Sequence, residues 1–314
     1  MNKFVRYGKD DFFDRTLNRL RAGDAQVVIF GDSTLRQTGR CDLERLGIDE
    51  YLAATIAMPV MTIQHGAYSA YMFRSYARLI AQQTTRPHVV VVPVNLRAWS
   101  PEWADKPMYR FPLRSAYVDL RAGRIVDLLF VLPYLVSDRD RQETRQWIAR
   151  RAVSLRGEML GTNGALAGEH VVRDLDCSEN EPNGSDRDIL RRKFLWHYGT
   201  SAQNAAQMDS ALTETIEELR SAGIDVLVYV TPVDRDAANH LSGERLVEDI
   251  DRRVASIGAV ARSAGANVLD LHAALPHNRF IDRGVACEHL DDTGRRIVGE
   301  LLGKKIGVLL HRRQ

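Results

Sequence analysis

The sequence predicts an α/β fold, built on a parallel sheet with helices on both faces. Three observations carry this expectation. Short, almost wholly apolar runs rich in Val and Ile recur along the chain. Segments with apolar residues at three- and four-residue steps alternate with them. The first three runs end in small or polar residues, at Gly31-Asp32-Ser33, at His65-Gly66 and at Asn95. Strands of this kind are buried on both faces, and their carboxyl ends gather polar side chains along one edge of the sheet.

The elements follow in order. Phe13, Leu17 and Leu20 have helical spacing after Asp10 and Asp11, with Gly23 as a stop, so residues 10–22 read as a helix. The first strand starts near Ala25 and runs through Val27, Val28, Ile29 and Phe30 into Gly31. Gly31 offers the conformational freedom of a sharp exit, and Asp32, Ser33 and Thr34 can bond free backbone N–H groups at a following helix start. Ser33 then stands at the carboxyl end of a central strand, where open α/β sheets bind ligands. Taken alone, these three residues suit a helix cap equally well. Residues 60–64 read as a short strand ending at His65 and Gly66, and residues 69–82 as a helix with Tyr76, Leu79 and Ile80 on its apolar face. Pro87 closes that segment before a valine-rich strand at 88–94, ending at Asn95.

After a long interruption the alternation resumes. Ala205, Met208, Leu212, Ile216 and Leu219 mark a helix, residues 224–230 a strand running into Thr231 and Pro232, and Leu246, Ile250, Val254, Ile257, Ala261 and Ala264 a second helix. Residues 268–271 make a fifth strand, and residues 293–310 a last helix through Ile297, Val298, Leu301 and Leu302. Residues 100–200 break the rhythm with an apolar stretch at 128–136, a charged helical stretch at 137–156 and a Gly- and Asn-containing segment. They read as a mostly helical insertion near the active edge, either a cap or a packing subdomain, within a single domain over 1–314.

Composition narrows the function. Forty-three Lys and Arg against 41 Asp and Glu leave a net charge of +2, which gives no global attraction to nucleic acid or an anionic membrane. Cys41, Cys177 and Cys287 are odd in number, far apart and without CxxC spacing, so the sequence indicates neither a disulfide framework nor a zinc site; unpaired thiols suit the cytoplasm. The first twenty residues are charged throughout, without the apolar core of a secretory leader. The nine-residue apolar run at 128–136 contains Pro133 and falls short of the ~20 residues of a membrane span. A cytoplasmic protein is expected.

Four pieces stand in a particular order: Gly31-Asp32-Ser33, then Gly66 in HGAYSA, then Asn95 in VVVVPVNLR, then His289 in EHLDDTG. This order resembles the SGNH hydrolases, also called the GDSL family. The resemblance implies a flavodoxin-like three-layer α/β/α sandwich with a five-stranded, mainly parallel sheet. It also implies roles: Ser33 as nucleophile, His289 as general base, and the N–H of Ser33, the N–H of Gly66 and the amide of Asn95 as an oxyanion hole. Such chemistry needs no metal or organic cofactor. A serine is a weak nucleophile until a base takes its proton, and the developing oxyanion needs donors aimed at it in advance.

Two departures from the family pattern stand out. Where most members carry an aspartate three residues before the histidine, this chain has Ala286. Glu288, adjacent to His289, and Asp282, upstream, are the candidate acids, and a Ser-His dyad is the alternative. The third block reads PVNLR, where many members place a glycine before Asn and an aspartate after it. His65, Arg97, Trp99, Pro232 and Asp234 lie near the expected edge and read as packing or solvated residues, as does His197. The functional expectation is a serine esterase acting on an acyl, for example acetyl, ester of a small molecule or glycan. Acyl transfer from the same Ser-His site, or a catalytically degenerate binding protein of this fold, are the alternatives.

Overall fold

The computed structural model describes residues 12–23, 25–39, 41–104, 107–123, 184–199, 201–281 and 288–312. Its core is one parallel sheet of five strands, β1 (Val27–Gly31), β2 (Val60–Gln64), β3 (Val89–Val94), β4 (Asp225–Val230) and β5 (Asn267–Asp270), in the order β2-β1-β3-β4-β5. Every neighbouring pair is parallel, with Val27 opposite both Val60 and Val89. The helices are α1 (Phe12–Ala22), α2 (Ile48–Ile56), α3 (Ala70–Ala81), α4 (Pro112–Arg121), α5 (Gly184–Tyr198), α6 (Ala202–Ser221), α7 (Arg235–Ser242), α8 (Glu244–Ser263) and α9 (Asp292–His311), with a four-residue helical turn at Pro101–Ala104.

The two-residue period of a strand splits the valine-rich runs between two cores. Val28, Phe30, Val90, Val92, Val226 and Val228 point to one side, against Leu20 of α1, Phe73 and Tyr76 of α3, Leu212 and Ile216 of α6 and Ile250 and Ile257 of α8. Val27, Ile29, Val89, Val91, Leu227 and Tyr229 point to the other, against Ile48 and Leu52 of α2 and Val298, Leu302 and Ile306 of α9. The chain is thus a three-layer α/β/α sandwich. Chain connections leave β1 for β2 on one side, while β3 lies on its other side; this reversal at β1/β3 opens the crevice in which open α/β sheets bind ligands.

Three expectations are corrected. No long helix follows Ser33: the strand exits into a 3₁₀ turn of three residues, Ser33–Leu35, and the first full helix of that crossover is α2. The nine residues of α2 place Ile48, Tyr51 and Leu52 inward, too short a run for its period to show in the sequence. Gly31 is absent from the positive-φ glycines; a Cβ there would lie 2.5 Å from Leu35 Cδ2, so the position needs space rather than unusual backbone. Cys41 is disulfide-bonded, against the expectation of unpaired thiols, and this removes the thiol argument for a reducing compartment. Among the described residues no helix is long and apolar enough to cross a membrane. The apolar stretch at 128–136 and the charged stretch at 137–156 lie outside the described residues.

Helices α2 and α9 meet through glycine. A Cβ at Gly299 would stand 2.5 Å from Tyr51 Cβ and 2.7 Å from the carbonyl oxygen of Ile48, and one at Gly303 would stand 2.6 Å from Thr55 Cβ. In an isolated helix Gly299→Ala gains about 1 kcal/mol of propensity. Here the new methyl meets backbone that cannot rotate away, and overpacking costs about 1–3 kcal/mol. Gly299→Ala is therefore expected to lower the urea midpoint with an unchanged m-value; a raised midpoint would show that the helices separate freely.

Candidate active site

The sequence places three polar segments at the carboxyl ends of adjacent strands, and the register of the sheet brings them together. Gly31 pairs with Gln64, and His65 N–H donates to the Gly31 carbonyl at 3.3 Å, so β1 and β2 end side by side. Asp32 follows at once. Its Oδ1 accepts from Thr34 N at 2.8 Å and from Thr34 Oγ1 at 2.6 Å, capping the turn that carries Ser33. From β3, Asn95 Nδ2 donates to Asp32 Oδ2 at 2.9 Å; from β2, Gln64 Nε2 donates to the Asp32 carbonyl at 3.1 Å. Asp32 thus ties three strand ends together beside Ser33. Burial pushes its carboxyl above the usual range, only partly offset by the bonds from Thr34 and Asn95.

His289 arrives from the far end of the chain. Ile281 N–H donates to the His289 carbonyl at 3.0 Å, Asp291 N–H to the Arg279 carbonyl at 2.9 Å, and Phe280 and Leu290 form an antiparallel bridge. This short ribbon hands the histidine to the sheet edge just before Asp291 caps α9 through Gly294 N–H. His289 is buried, and its Nε2 lies 3.0 Å from Ser33 Oγ, 256 residues away in sequence. With the ring proton on Nδ1, Nε2 accepts from the hydroxyl, the arrangement in which an imidazole takes a serine's proton.

Gly66 sits after β2 in a turn closed by Tyr68 N–H to the His65 carbonyl at 3.1 Å, with Ala67 in left-handed backbone at φ 65°. A Cβ at Gly66 would meet nothing within 4 Å. Among the described residues, the N–H groups of Ser33 and Gly66 donate to no protein acceptor. Asn95 Oδ1 accepts from Arg97 N at 3.1 Å while one amide N–H is given to Asp32, leaving its second N–H for other use. Beside Gly66 stands a wall that the sequence did not disclose. His65 stacks on Tyr68 at 5.1 Å and meets Phe111 edge-on at 5.5 Å, and Arg114 lies over both aromatic rings. Phe111 itself takes left-handed backbone, φ 50°, at the start of α4, a strain that persists only where surroundings dictate it.

Of the two candidate acids, Asp282 lies outside the described residues, as does Ala286. Glu288 is described, and its Oε1 is 2.9 Å from His197 Nε2. The other ring nitrogen of His197 is 3.0 Å from Glu102 Oε2, and Glu102 in turn accepts from Arg97 Nε and Nη2, each at 3.1 Å. Burial would push the Glu288 carboxyl up, but His197, Arg97 and His289 together hold it at about 2. His197 and Arg97, read from sequence as packing or solvated residues, are thus members of a buried ionic cluster behind His289. No spacing rule could have found it, because its members come from the segment after β3, from α5 and from the loop before α9. Trp99 donates to Asp209 at 2.7 Å, and Pro232 is buried. Asp234 caps α7 through Ala237 N–H and meets His277 Nδ1 at 2.6 Å. Among the described residues no three or more His, Cys, Asp or Glu side chains gather as a metal site.

No protein-family model matches the sequence, and neither does any curated protein. Solved structures that it resembles include a Bacteroides fragilis protein provisionally described as an acylhydrolase, with 11% identity, TM-score 0.40, and coverage of 96% of this chain and 98% of that one. Another is an acetyl xylan esterase from the rumen bacterium Butyrivibrio proteoclasticus, with 8% identity, TM-score 0.38, and coverage of 91% of this chain and 64% of that one. The chain thus spans under two thirds of the second protein's length.

The ordinary value for a glutamate is 4.5 and Glu288 is held at about 2 in the fold. Its folded-state value is the lower one, so its ionisation favours folding at all pH above 4.5, and that contribution is lost as pH falls from 4.5 towards 2. Urea midpoints measured across this window should fall less steeply for Glu288→Gln than for the parent protein; parallel curves would mean that the cluster adds nothing to acid lability.

Proposed function

We propose that the chain is a serine ester hydrolase in which Ser33 is the nucleophile and His289 the general base. One observation carries the reading: Ser33 Oγ stands 3.0 Å from His289 Nε2 at the carboxyl edge of the sheet, beside the β1/β3 reversal. In the first half of the reaction, Ser33 Oγ bonds to the ester carbonyl carbon as its proton passes to His289 Nε2, and the carbonyl electron pair moves to oxygen. The N–H groups of Ser33 and Gly66 and the second N–H of Asn95 are the donors proposed for that oxyanion. As the carbonyl re-forms, the bond to the alcohol oxygen breaks and His289 returns its proton to the leaving alcohol. Water then repeats the sequence on the acyl-Ser33, releasing acid and free enzyme.

Short-chain aryl esters and acetylated glycans are the substrates to test first. Ser33→Ala is expected to abolish both hydrolysis of an aryl acetate and labelling by a fluorophosphonate; a variant that hydrolyses at the parent rate would place the activity elsewhere. Asn95→Ala should lower kcat by about 100- to 1,000-fold, the usual effect of deleting one oxyanion donor, with KM little changed. Steady-state kinetics decides this, and a change confined to KM would assign Asn95 to substrate binding instead.

A further inference from the structure

We propose that His65 is a positioning residue of the oxyanion site, its ring Nδ1 latching the Gly66 carbonyl and so aiming the Gly66 N–H at the reacting ester. The inference rests on the reading of Ser33 and Gly66 given above and extends it to a side chain that acts through a backbone turn. His65 Nδ1 lies 2.8 Å from the Gly66 carbonyl oxygen. A carbonyl only accepts, so Nδ1 donates and carries a proton. The backbone of the same residue anchors the turn: its N–H donates to the Gly31 carbonyl at 3.3 Å, and its carbonyl accepts from Tyr68 N–H at 3.1 Å.

Gly66 needs such a latch. It has no side chain and the widest choice of φ and ψ, and among the described residues a Cβ there would meet nothing within 4 Å, so hydrogen bonds rather than packing must hold it. The direction of its N–H depends on the two peptides that flank it. Tyr68 N–H fixes the first through the His65 carbonyl, and the His65 ring fixes the second through the Gly66 carbonyl. The ring is itself confined. It stacks on Tyr68 at 5.1 Å and meets Phe111 edge-on at 5.5 Å, and Tyr68 is buried with its hydroxyl accepting from Arg114 Nη1 at 3.1 Å. Of the three non-glycine residues with positive φ among those described, two belong to this assembly: Ala67 at 65°, directly after Gly66, and Phe111 at 50°, against the ring. Strained backbone of this kind persists only where its surroundings over-determine it, and it gathers where a site is pre-set. A donor pre-set in this way needs no reorganisation as charge develops on the ester oxygen.

The experiment compares steady-state ester hydrolysis and melting temperature in the full chain, in His65→Phe and in His65→Asn. Phenylalanine keeps a ring for Tyr68 and Phe111 but has no N–H, whereas the Nδ2 of asparagine stands as many bonds from Cβ as the histidine Nδ1 and restores the donor. A misaimed group costs up to about 100-fold, so kcat of His65→Phe is expected to fall about 10- to 100-fold with KM and melting temperature little changed. His65→Asn is expected to recover most of the lost rate. A folded His65→Phe that turns over at the parent rate, a loss confined to KM, or a His65→Asn as slow as His65→Phe would each overturn the proposal while leaving the Ser33 reading intact. A parent protein that neither hydrolyses esters nor takes up a fluorophosphonate would overturn that reading itself. A measurement without substitutions covers variants that fail to fold. The nitrogen-15 imidazole spectrum of His65 is expected to show a proton on Nδ1, and a bare Nδ1 would overturn the latch.

Discussion

The site depends on one buried cation. Arg295, in the first turn of α9, is fully inaccessible to solvent, and its guanidinium donates to the carbonyls of Leu46, Gln37, Leu290 and Glu44 while pairing with Asp42 Oδ2 at 2.8 Å. Gln37, Glu44 and Leu46 belong to the irregular loop after Ser33, and Leu290 is the residue after His289. A loop of this kind has no ladder of its own to satisfy its carbonyls, and buried carbonyls without partners are costly. One planar fork of donors satisfies several at once and cross-links both halves of the Ser33–His289 pair. The charge is tolerated because its donors are used and Asp42 neutralises it.

Around the pair, burial acts on two carboxylates with opposite results. Asp32 is raised above the usual range, since its partners Thr34 and Asn95 are neutral donors that only partly repay desolvation. Glu288 is just as deeply buried and is held at about 2, since its partners carry positive charge. The difference matches their places in the fold. Asp32 ties the ends of β1, β2 and β3 together with hydrogen bonds, and Glu288 belongs to an ionic cluster that joins α5 and the segment after β3 to the loop before α9. Environment, and not residue type, sets what each carboxylate does.

Much of the fold was legible in the sequence because its signals are local. The sequence expectation of a strand at 60–64 coincides with β2, and the expected strands at 88–94 and 224–230 each exceed β3 and β4 by one residue at the start. The valine-rich runs, alternating with helical periods, favour a parallel sheet covered by helices on both faces. Helix α2 was missed because nine residues do not repeat a period often enough to reveal it, and the helix expected after Ser33 proved to be a 3₁₀ turn held by Asp32. The Cys41 disulfide was likewise invisible, since spacing along a chain does not say which thiols meet. Of the candidate site, Ser33, Gly66, Asn95 and His289 could be named from four short motifs, while Glu102 and the environment of His197 carried no motif at all.

The sequence by itself determined the strands, the helices with clear periodicity, and the placing of short polar residues at strand ends, because each follows from apolar spacing within a few residues. Only the tertiary structure decided which of those ends lie side by side, since strand order is set by crossovers that no local pattern encodes. It alone brought Nε2 of His289 to 3.0 Å from Ser33 Oγ across 256 residues, and it alone turned Glu288 away from its chain neighbour towards His197. The physical reason is the same in each case. Hydrophobic period acts within an element, whereas hydrogen bonds and ion pairs between buried side chains exist only once packing has removed water from around them.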